Sequence, residues 1–133
     1  MLQVKTKLKP SGIHGIGLFA DQFIPKGTVT WKYEPRYDVA FTQEQIDALP
    51  QVQKDFLNFF TYLDKDLNKF ILCSDNQRHI NHAKTGELEN IHSTPTEDIA
   101  ARDIQEGQEL LCDYNKFDSE YFDRMNIKHA ELN

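Results

Sequence analysis

"QRHINHAKTGELENI", residues 77–91, sets Asn81 and His82 between a polar run and a Gly-containing acidic loop, with Arg78 and His79 just ahead of them. An adjacent amide and imidazole are most often buried, hydrogen-bonded side chains, so alone the pair admits a packing role as readily as a binding one. A metal site drawing on Cys73, His79 and His82 lacks a fourth ligand at a workable spacing, and no metal is expected. The stretch decides the fold only when the segments on both sides of it are read in order.

With 133 residues, 39% of them hydrophobic and 11% aromatic, the chain suits a single domain over residues 1–133 with a real core. Its apolar runs all fall short of the roughly 20 residues that span a bilayer. The opening "MLQVKTKLKP" lacks the apolar centre of a signal peptide, so a soluble, cytoplasmic protein without membrane contact is expected. Cys73 and Cys112 are too few and too far apart for a zinc cluster or a disulfide framework, which fits a reducing compartment and a core role for each. The net charge is -6, and residues 86–124 hold eleven Asp or Glu against three Lys or Arg. Phosphate binding needs clustered Lys and Arg, so direct nucleic-acid binding is not expected. Such a surface attracts a basic protein or peptide, or serves only as a solvated acidic face. Oligomeric state is not written in these features.

Along the chain, the alternation in "LQVKTKL" marks a strand. "IGLFA" and "TVTWKY" are two further β runs joined by "DQFIPKG", with Pro25 second and Gly27 fourth in a type I turn, so a hairpin-like unit is expected. "AARDIQEGQELLCDY" echoes it with the same Ile-x-x-Gly spacing, though turns of this kind also recur by convergence. Thr42 and Gln45 form a capping box ahead of Ile46, Leu49, Val52, Phe56, Phe59, Phe60 and Leu63. That spacing predicts a helical insert over about 43–63, broken at Pro50, with its aromatic stripe packed on the sheets. "KFILC" and "TEDIAA" read as strands flanking the opening segment. A C-terminal helical segment over about 118–129, with Asp118 as N-cap, completes a mainly β, α+β domain.

Three fragments carry the chemistry. "SGIHGIGLFA" packs Gly12, Gly15 and Gly17 ahead of an apolar strand, a loop able to approach a ligand closely or simply to turn. It lacks the third glycine and the following helix of a dinucleotide fingerprint. The Asn-His pair is the second, and "ELLCDY", ending an apolar strand on Asp113 and Tyr114, is the third.

In this order and at these separations, "GIGLFA", "RHINH" and "ELLCDY" resemble the SET domain family of protein lysine methyltransferases, over about residues 4–117. The family's patterns are Gly-x-Gly before an apolar strand, Arg-Phe-x-Asn-His-Ser-Cys-x-Pro-Asn, and Glu-Leu-x-x-Asp-Tyr. The chain keeps Gly15, Gly17, Arg78, Asn81, His82, Glu109, Leu110, Asp113 and Tyr114. It departs at His79, at Ala83 and Lys84, and by the insertion of "TGELE" before Asn90. No Cys-rich zinc-binding segment follows Tyr114, which points to a small stand-alone type.

The resemblance implies a SET-type β-clip fold of several short sheets, with a threaded C-terminal segment beneath the Asn-His strand. It implies S-adenosylmethionine as cofactor, held by Asn81 and His82 at its amino-acid and adenine ends. Arg78 and the backbone of Gly15, Ile16 and Gly17 complete that site. Methyl transfer needs a neutral amine, whereas free Lys has a pKa near ~10.4, so a narrow apolar channel that desolvates and aligns the nitrogen is implied. Tyr114 is the implied catalytic hydroxyl, accepting weak C–H contacts from the polarised methyl. Tyr62, Cys112, Phe117 and Tyr121 are the candidate walls of the substrate channel, with Phe122 beside them and Tyr33 a weaker candidate than Tyr62. Trp31 is expected in the core. The function so implied is protein-lysine N-methylation of a basic segment; the alternative is a non-catalytic SET-like module that docks a basic partner.

Overall fold

In the computed structural model, which describes residues 1–125, two tight turns organise the chain. In residues 25–28 and 105–108 the fourth N–H returns to the first carbonyl, 3.1 Å in each case, and the third residue, Gly27 or Gly107, takes φ of +86° or +89°. Side chains are disfavoured at such angles, which is why glycine stands there. Gly27 is therefore third in its turn, as in type II, and not fourth in a type I turn.

The strands around these turns form three short sheets. β1 (Thr6–Pro10) pairs antiparallel with β2 (Ile16–Ala20). A five-stranded sheet runs in the spatial order β3 (Val29–Lys32), β9 (Glu97–Ala100), β8 (Ile91–Ser93), β10 (Leu111–Cys112) and β7 (Asn81–His82). The third sheet orders β4 (Val39–Phe41), β6 (Lys69–Leu72) and β5 (Thr61–Asp64), and it carries helices α1 (Gln43–Asp47) and α2 (Gln51–Phe60). A short helix α3 (Tyr121–Arg124) follows the sheets. This is the mainly β architecture expected, and no helix among the described residues is long and apolar enough to cross a membrane.

The hairpin expected between "IGLFA" and "TVTWKY" does not form: β2 pairs with β1, and β3 pairs with β9 across the molecule. The two turn units instead face each other across a local two-fold. Ile24 and Ile104 exchange both backbone hydrogen bonds, at 2.9 and 2.8 Å. Gly27 N–H donates to Ala100 O while Gly107 N–H donates to Ala20 O, and Ala20 N–H donates to Gln108 O while Ala100 N–H donates to Thr28 O. The echo seen in the sequence is thus two halves of one interface, and Ala20, Ile24, Ala100 and Ile104 form the centre of the main core with Leu18, Ile91 and Leu110.

Local chemistry explains the insert. Thr42 Oγ1 accepts from Gln45 N–H and the Gln45 side chain accepts from Thr42 N–H, so the capping box is present, and Pro50 separates α1 from α2. The helical segment ends at Phe60, because residues 61–63 belong to β5. Ile46 and Leu57 bury against Phe70, but Val52 (80% exposed), Phe56 (43%) and Phe59 (37%) do not pack on the sheets. Periodicity located the helix; which face is covered depends on β6, which meets Ile46 and Leu57.

Asp118 is not the cap of α3. Glu120 occupies that position without a side-chain bond, while the buried Asp118 carboxylate accepts from Leu63 N–H (2.9 Å) and Arg124 Nη2 (2.7 Å). α3 is tied to the insert again by Tyr121 Oη donating to Phe59 O (2.7 Å). The remainder of the segment expected to be helical, 126–129, lies outside the described residues.

Gly27→Ala and Gly107→Ala will each lower stability by about 1–2 kcal/mol, the penalty for a side chain in left-handed backbone. Neither site has an atom within 4 Å of the added Cβ, so the two losses should be alike and purely conformational. Urea midpoints compared with Gly12→Ala, whose φ lies outside the left-handed region, check this.

Candidate functional site

The segment from Glu109 to Tyr114 builds the site, because β10 lies parallel to two strands at once. Leu111 and Cys112 sit opposite Asn81 and His82 of β7, and Cys112 sits opposite Ile91 of β8. Loop 83–90, which joins β7 to β8, therefore crosses the segment that its two ends enclose. Asn90 fastens the far end of the loop: its Nδ2 donates to Glu109 O (2.8 Å) and its Oδ1 accepts from Leu111 N–H (2.8 Å). The loop carries the inserted "TGELE", and Arg102 holds it by donating to the carbonyls of Glu87 and Glu89.

Asn81, 9% exposed, spends its amide on architecture: Nδ2 lies 2.9 Å from His14 O, 3.3 Å from Ile16 O and 3.0 Å from Glu109 Oε1. Glu109 also accepts from Ser11 Oγ (2.8 and 2.9 Å), and Ser11 Oγ in turn accepts from Ile13 N–H and His14 N–H. Ser11 N–H closes the loop on Gly15 O (2.8 Å), and Gly15 has φ of +49°. One carboxylate thus ties the glycine loop to β7 and to the strand entering β10. Gly17 lies beneath the cleft wall, where a Cβ would come within 2.1 Å of Glu109 Oε1; its glycine makes room for that carboxylate. In the sequence Glu109 stands out only as part of the Glu-Leu-x-x-Asp-Tyr pattern, and the Ser placed ahead of the glycines is the one local signal for the loop contact.

The loop, β7 and the C-terminal aromatics enclose a cleft of about 440 Å³, lined by Gly15, Ile16, Arg78, Asn81, His82 and Phe122, among others. His82 Nδ1 accepts from Tyr114 N–H (3.1 Å), and its ring lies 4.9 Å from Phe122 and 5.3 Å from Tyr114, centroid to centroid. Arg78 rests 6.0 Å over the Phe60 ring, with Nε buried and without a hydrogen-bond partner. His79 packs edge-on to Phe60, and burial, then the Arg78 charge, lower its pKa.

A second, narrow cavity of about 60 Å³ meets the cleft at Tyr114, Tyr121, Phe60 and Arg78. Tyr62, Cys112, Phe117 and Tyr121, the four candidate channel residues, all line it; Tyr33 lines neither cavity, and Phe122 lines the cleft. Tyr62 Oη donates to Pro95 O (2.6 Å), and its ring stands edge-on to Trp31 and Phe117. Tyr114 Oη donates to Ile80 O, and the Tyr114 ring is ringed by Phe117, Tyr121 and Phe122 at 4.9–5.9 Å. Burial drives the Tyr114 and Tyr62 phenols well above their usual range and pushes Tyr121 up to about 12, so all three remain protonated donors. Burial likewise raises the Cys73 and Cys112 thiols. Asp98, also on this wall, is pushed up to about 7 by burial, against smaller lowering by Ser93 and Gln77.

Among the described residues no group of three or more His, Cys, Asp or Glu could hold a metal ion. The arrangement suits a bound small molecule in the broad cleft and a slender side chain in the narrow cavity, meeting beside a fixed phenol.

A family model, the SET domain, matches residues 15–115. No curated protein matches the chain. Among solved structures, a Plasmodium falciparum protein assigned as a histone methyltransferase is similar at a TM-score of 0.57 and 21% identity, covering 85% of this chain and 95% of that one. Apo ctPRC2, mutated in Ezh2, gives 0.67 and 21%, over 86% of this chain but 15% of that one. A chain of ctPRC2 in complex with methylated histone H3 gives 0.61 and 20%, over 84% and 14%.

Two measurements probe the geometry. Gly17→Ala should cost about 1–3 kcal/mol by overpacking. Because Glu109→Ala empties the space that the new Cβ needs, the double variant should lose less than the two single losses added, read from urea unfolding. The folded pKa of Asp98 lies above its ordinary 3.8, so between roughly pH 4 and 7 the native state holds a proton that the unfolded chain has released. Stability from this group is full at the acid end and is lost as pH rises through that window; Asp98→Asn should flatten that slope and be relatively more stable at the alkaline end.

Proposed function

Because this chain belongs to the SET domain family, we propose that it transfers a methyl group from S-adenosylmethionine to a lysine side chain of a basic protein segment. The observation that carries the proposal is the meeting of the two cavities at Tyr114. In-line displacement brings donor and acceptor from opposite sides of the transferred carbon, and a broad cleft joined to a narrow one through a neck offers that approach.

The residues fit the cofactor. A cleft of about 440 Å³ lies in the range of small-molecule sites. Gly15 in left-handed backbone lets the loop come close, and the orphaned Arg78 Nε offers a donor at the junction. Arg78, His82, Phe122 and the backbone from Gly15 to Gly17 would hold the cofactor, with Asn81 fixing that backbone. When bound, the cofactor supplies a methyl on a positively charged sulfur.

The rest belongs to the chain. Tyr62, Phe117 and Tyr121 strip water from the incoming side chain and favour its neutral amine, since burial disfavours a charged one. Tyr114, protonated and fixed to Ile80 O, presents its oxygen lone pairs at the neck, where C–H contacts to a polarised methyl are weakly favourable. The excess of acidic residues over 86–124 steers a basic segment toward the site. A cytoplasmic, membrane-free setting completes the reading. A non-catalytic docking module is the weaker alternative, because a docking groove has no need of a neck lined by neutral phenols.

Calorimetric titration with S-adenosylmethionine should show one saturable site. Tyr114→Phe should retain cofactor affinity within a few fold while lowering methyl transfer to basic protein about 10–100-fold, equivalent to about 1.4–2.8 kcal/mol of transition-state stabilisation. Absence of cofactor binding by the wild type would sink the enzyme reading.

A further inference from the structure

One part of the wall of the narrow cavity is polar in a way that methyl transfer by positioning leaves unexplained. Asp98, Gln77, Ser93 and Trp31 all line it, and each is buried, with 2–5% exposure. Gln77 Nε2 donates to Asp98 Oδ2. Trp31 Nε1–H, though shut away from solvent, has no hydrogen-bond partner, and the Ser93 hydroxyl lies beside the Asp98 carboxyl and the Cys112 thiol. Buried polar atoms are almost always paired. An orphaned donor and a buried carboxyl around one cavity mark the place of a polar guest.

Charge selects the guest. Asp98 stands on β9, opposite Trp31 of β3 and Ser93 of β8. The titratable groups that share its cavity are Tyr62 from β5, Tyr114 and Tyr121 from the C-terminal segment, Cys73 after β6 and Cys112 in β10, and all five are held neutral by burial. The two remaining charged groups are Asp118, paired with Arg124, and Arg78, which lies at the junction with the cleft. An ionised Asp98 therefore leaves this wall negative, and a cationic amine is its complement, while the Trp31 N–H, a donor only, is left for the lone pair of the neutral amine.

We propose that Asp98 is a further catalytic residue, which binds the substrate ammonium within the narrow cavity and takes its proton; this rests on the methyl-transfer reading above. An N–H bond breaks, an O–H bond forms on the Asp98 carboxylate, and the electron pair stays on nitrogen as the nucleophile. The charge of the ion pair is cancelled in the step, so the buried cavity ends with two neutral groups. After product leaves, Asp98 returns its proton to water. A base poised near neutrality suits this task, and Asp98 is pushed up to about 7.

The test uses n-butylammonium as a lysine side-chain mimic and n-butanol as its uncharged control, titrated into the whole chain without cofactor while the Asp98 carboxyl carbon is followed by NMR. Butylammonium should bind saturably and lower the Asp98 pKa by about one unit or more, as an adjacent opposite charge does. Butanol should leave that pKa unlowered, and Asp98→Asn should bind the ammonium about tenfold more weakly, one pKa unit's equivalent. The wild-type titration stands even should that variant fail to fold. Failure of the wild type to bind butylammonium, or equal affinity in the folded Asn variant, overturns the assignment. In methyl transfer, Asp98→Asn should lose about a hundredfold near neutral pH, recovering as pH rises toward the amine's own pKa. Cofactor binding without an amine response removes Asp98 alone; an amine response without cofactor binding removes the methyl-transfer reading and leaves the amine site.

Discussion

The Glu109 carboxylate holds together the three pieces from which the cleft is made. It accepts from Ser11 of the glycine loop and from Asn81 of β7, and it sits in the strand that becomes β10. Hydrogen bonds to a charged acceptor contribute about 1.5–3 kcal/mol each, more than bonds between neutral groups. The loop therefore cannot shift without losing its tie to Asn81, and Asn81 cannot turn its amide elsewhere without freeing the loop. A wall fixed before the ligand arrives spares the ordering cost that a flexible loop would add to binding. Even the bare backbone at Gly17 follows from this carboxylate, which fills the space where a side chain would stand.

On the far side, stiffness comes from aromatic packing. Tyr114 is enclosed by Phe117, Tyr121, Phe122 and His82, and α3 is pinned through Tyr121 to Phe59 and through Asp118 to Arg124 and Leu63. The same burial that fixes these rings keeps their hydroxyls protonated. Polar wall and aromatic wall meet at the Asn-His pair: Asn81 faces the loop, and His82 faces the rings.

What the sequence revealed was local chemistry or ordered motifs. Thr42, Gln45 and Pro50 act within a few residues of themselves, so the capping box and the helix break were readable. The three ordered fragments gave the mainly β architecture and the family. Pairing was harder: the turn at 25–28 is visible in Pro25 and Gly27, but the partner of its flanks is the unit around Ile104, which no local pattern names. The stripe through Val52, Phe56 and Phe59 has helical period on a helix too short of neighbours to cover it. Asp98 sat unremarked in "TEDIAA", where an acidic residue in an alternating strand looks solvent-facing; its burial is made by Trp31 and Ser93, both distant or unremarkable in sequence.

The crossing of loop 83–90 over β10 has a consequence for how the molecule comes into being. β7 and β8 are parallel neighbours of a strand that follows them in the chain by about thirty and about twenty residues, so their shared partner does not yet exist when they are first synthesised. Contacts of this long-range kind form late and slowly. The glycine loop, the insert and the paired isoleucine turns can each gather earlier, but the carboxylate of Glu109 and the ring of Tyr114 reach their places only when the last strand slips between its partners. On a ribosome the cleft is thus the final part of the domain to exist, and a nascent chain ending before residue 109 has most of the strands but neither Tyr114 nor α3, and so no site.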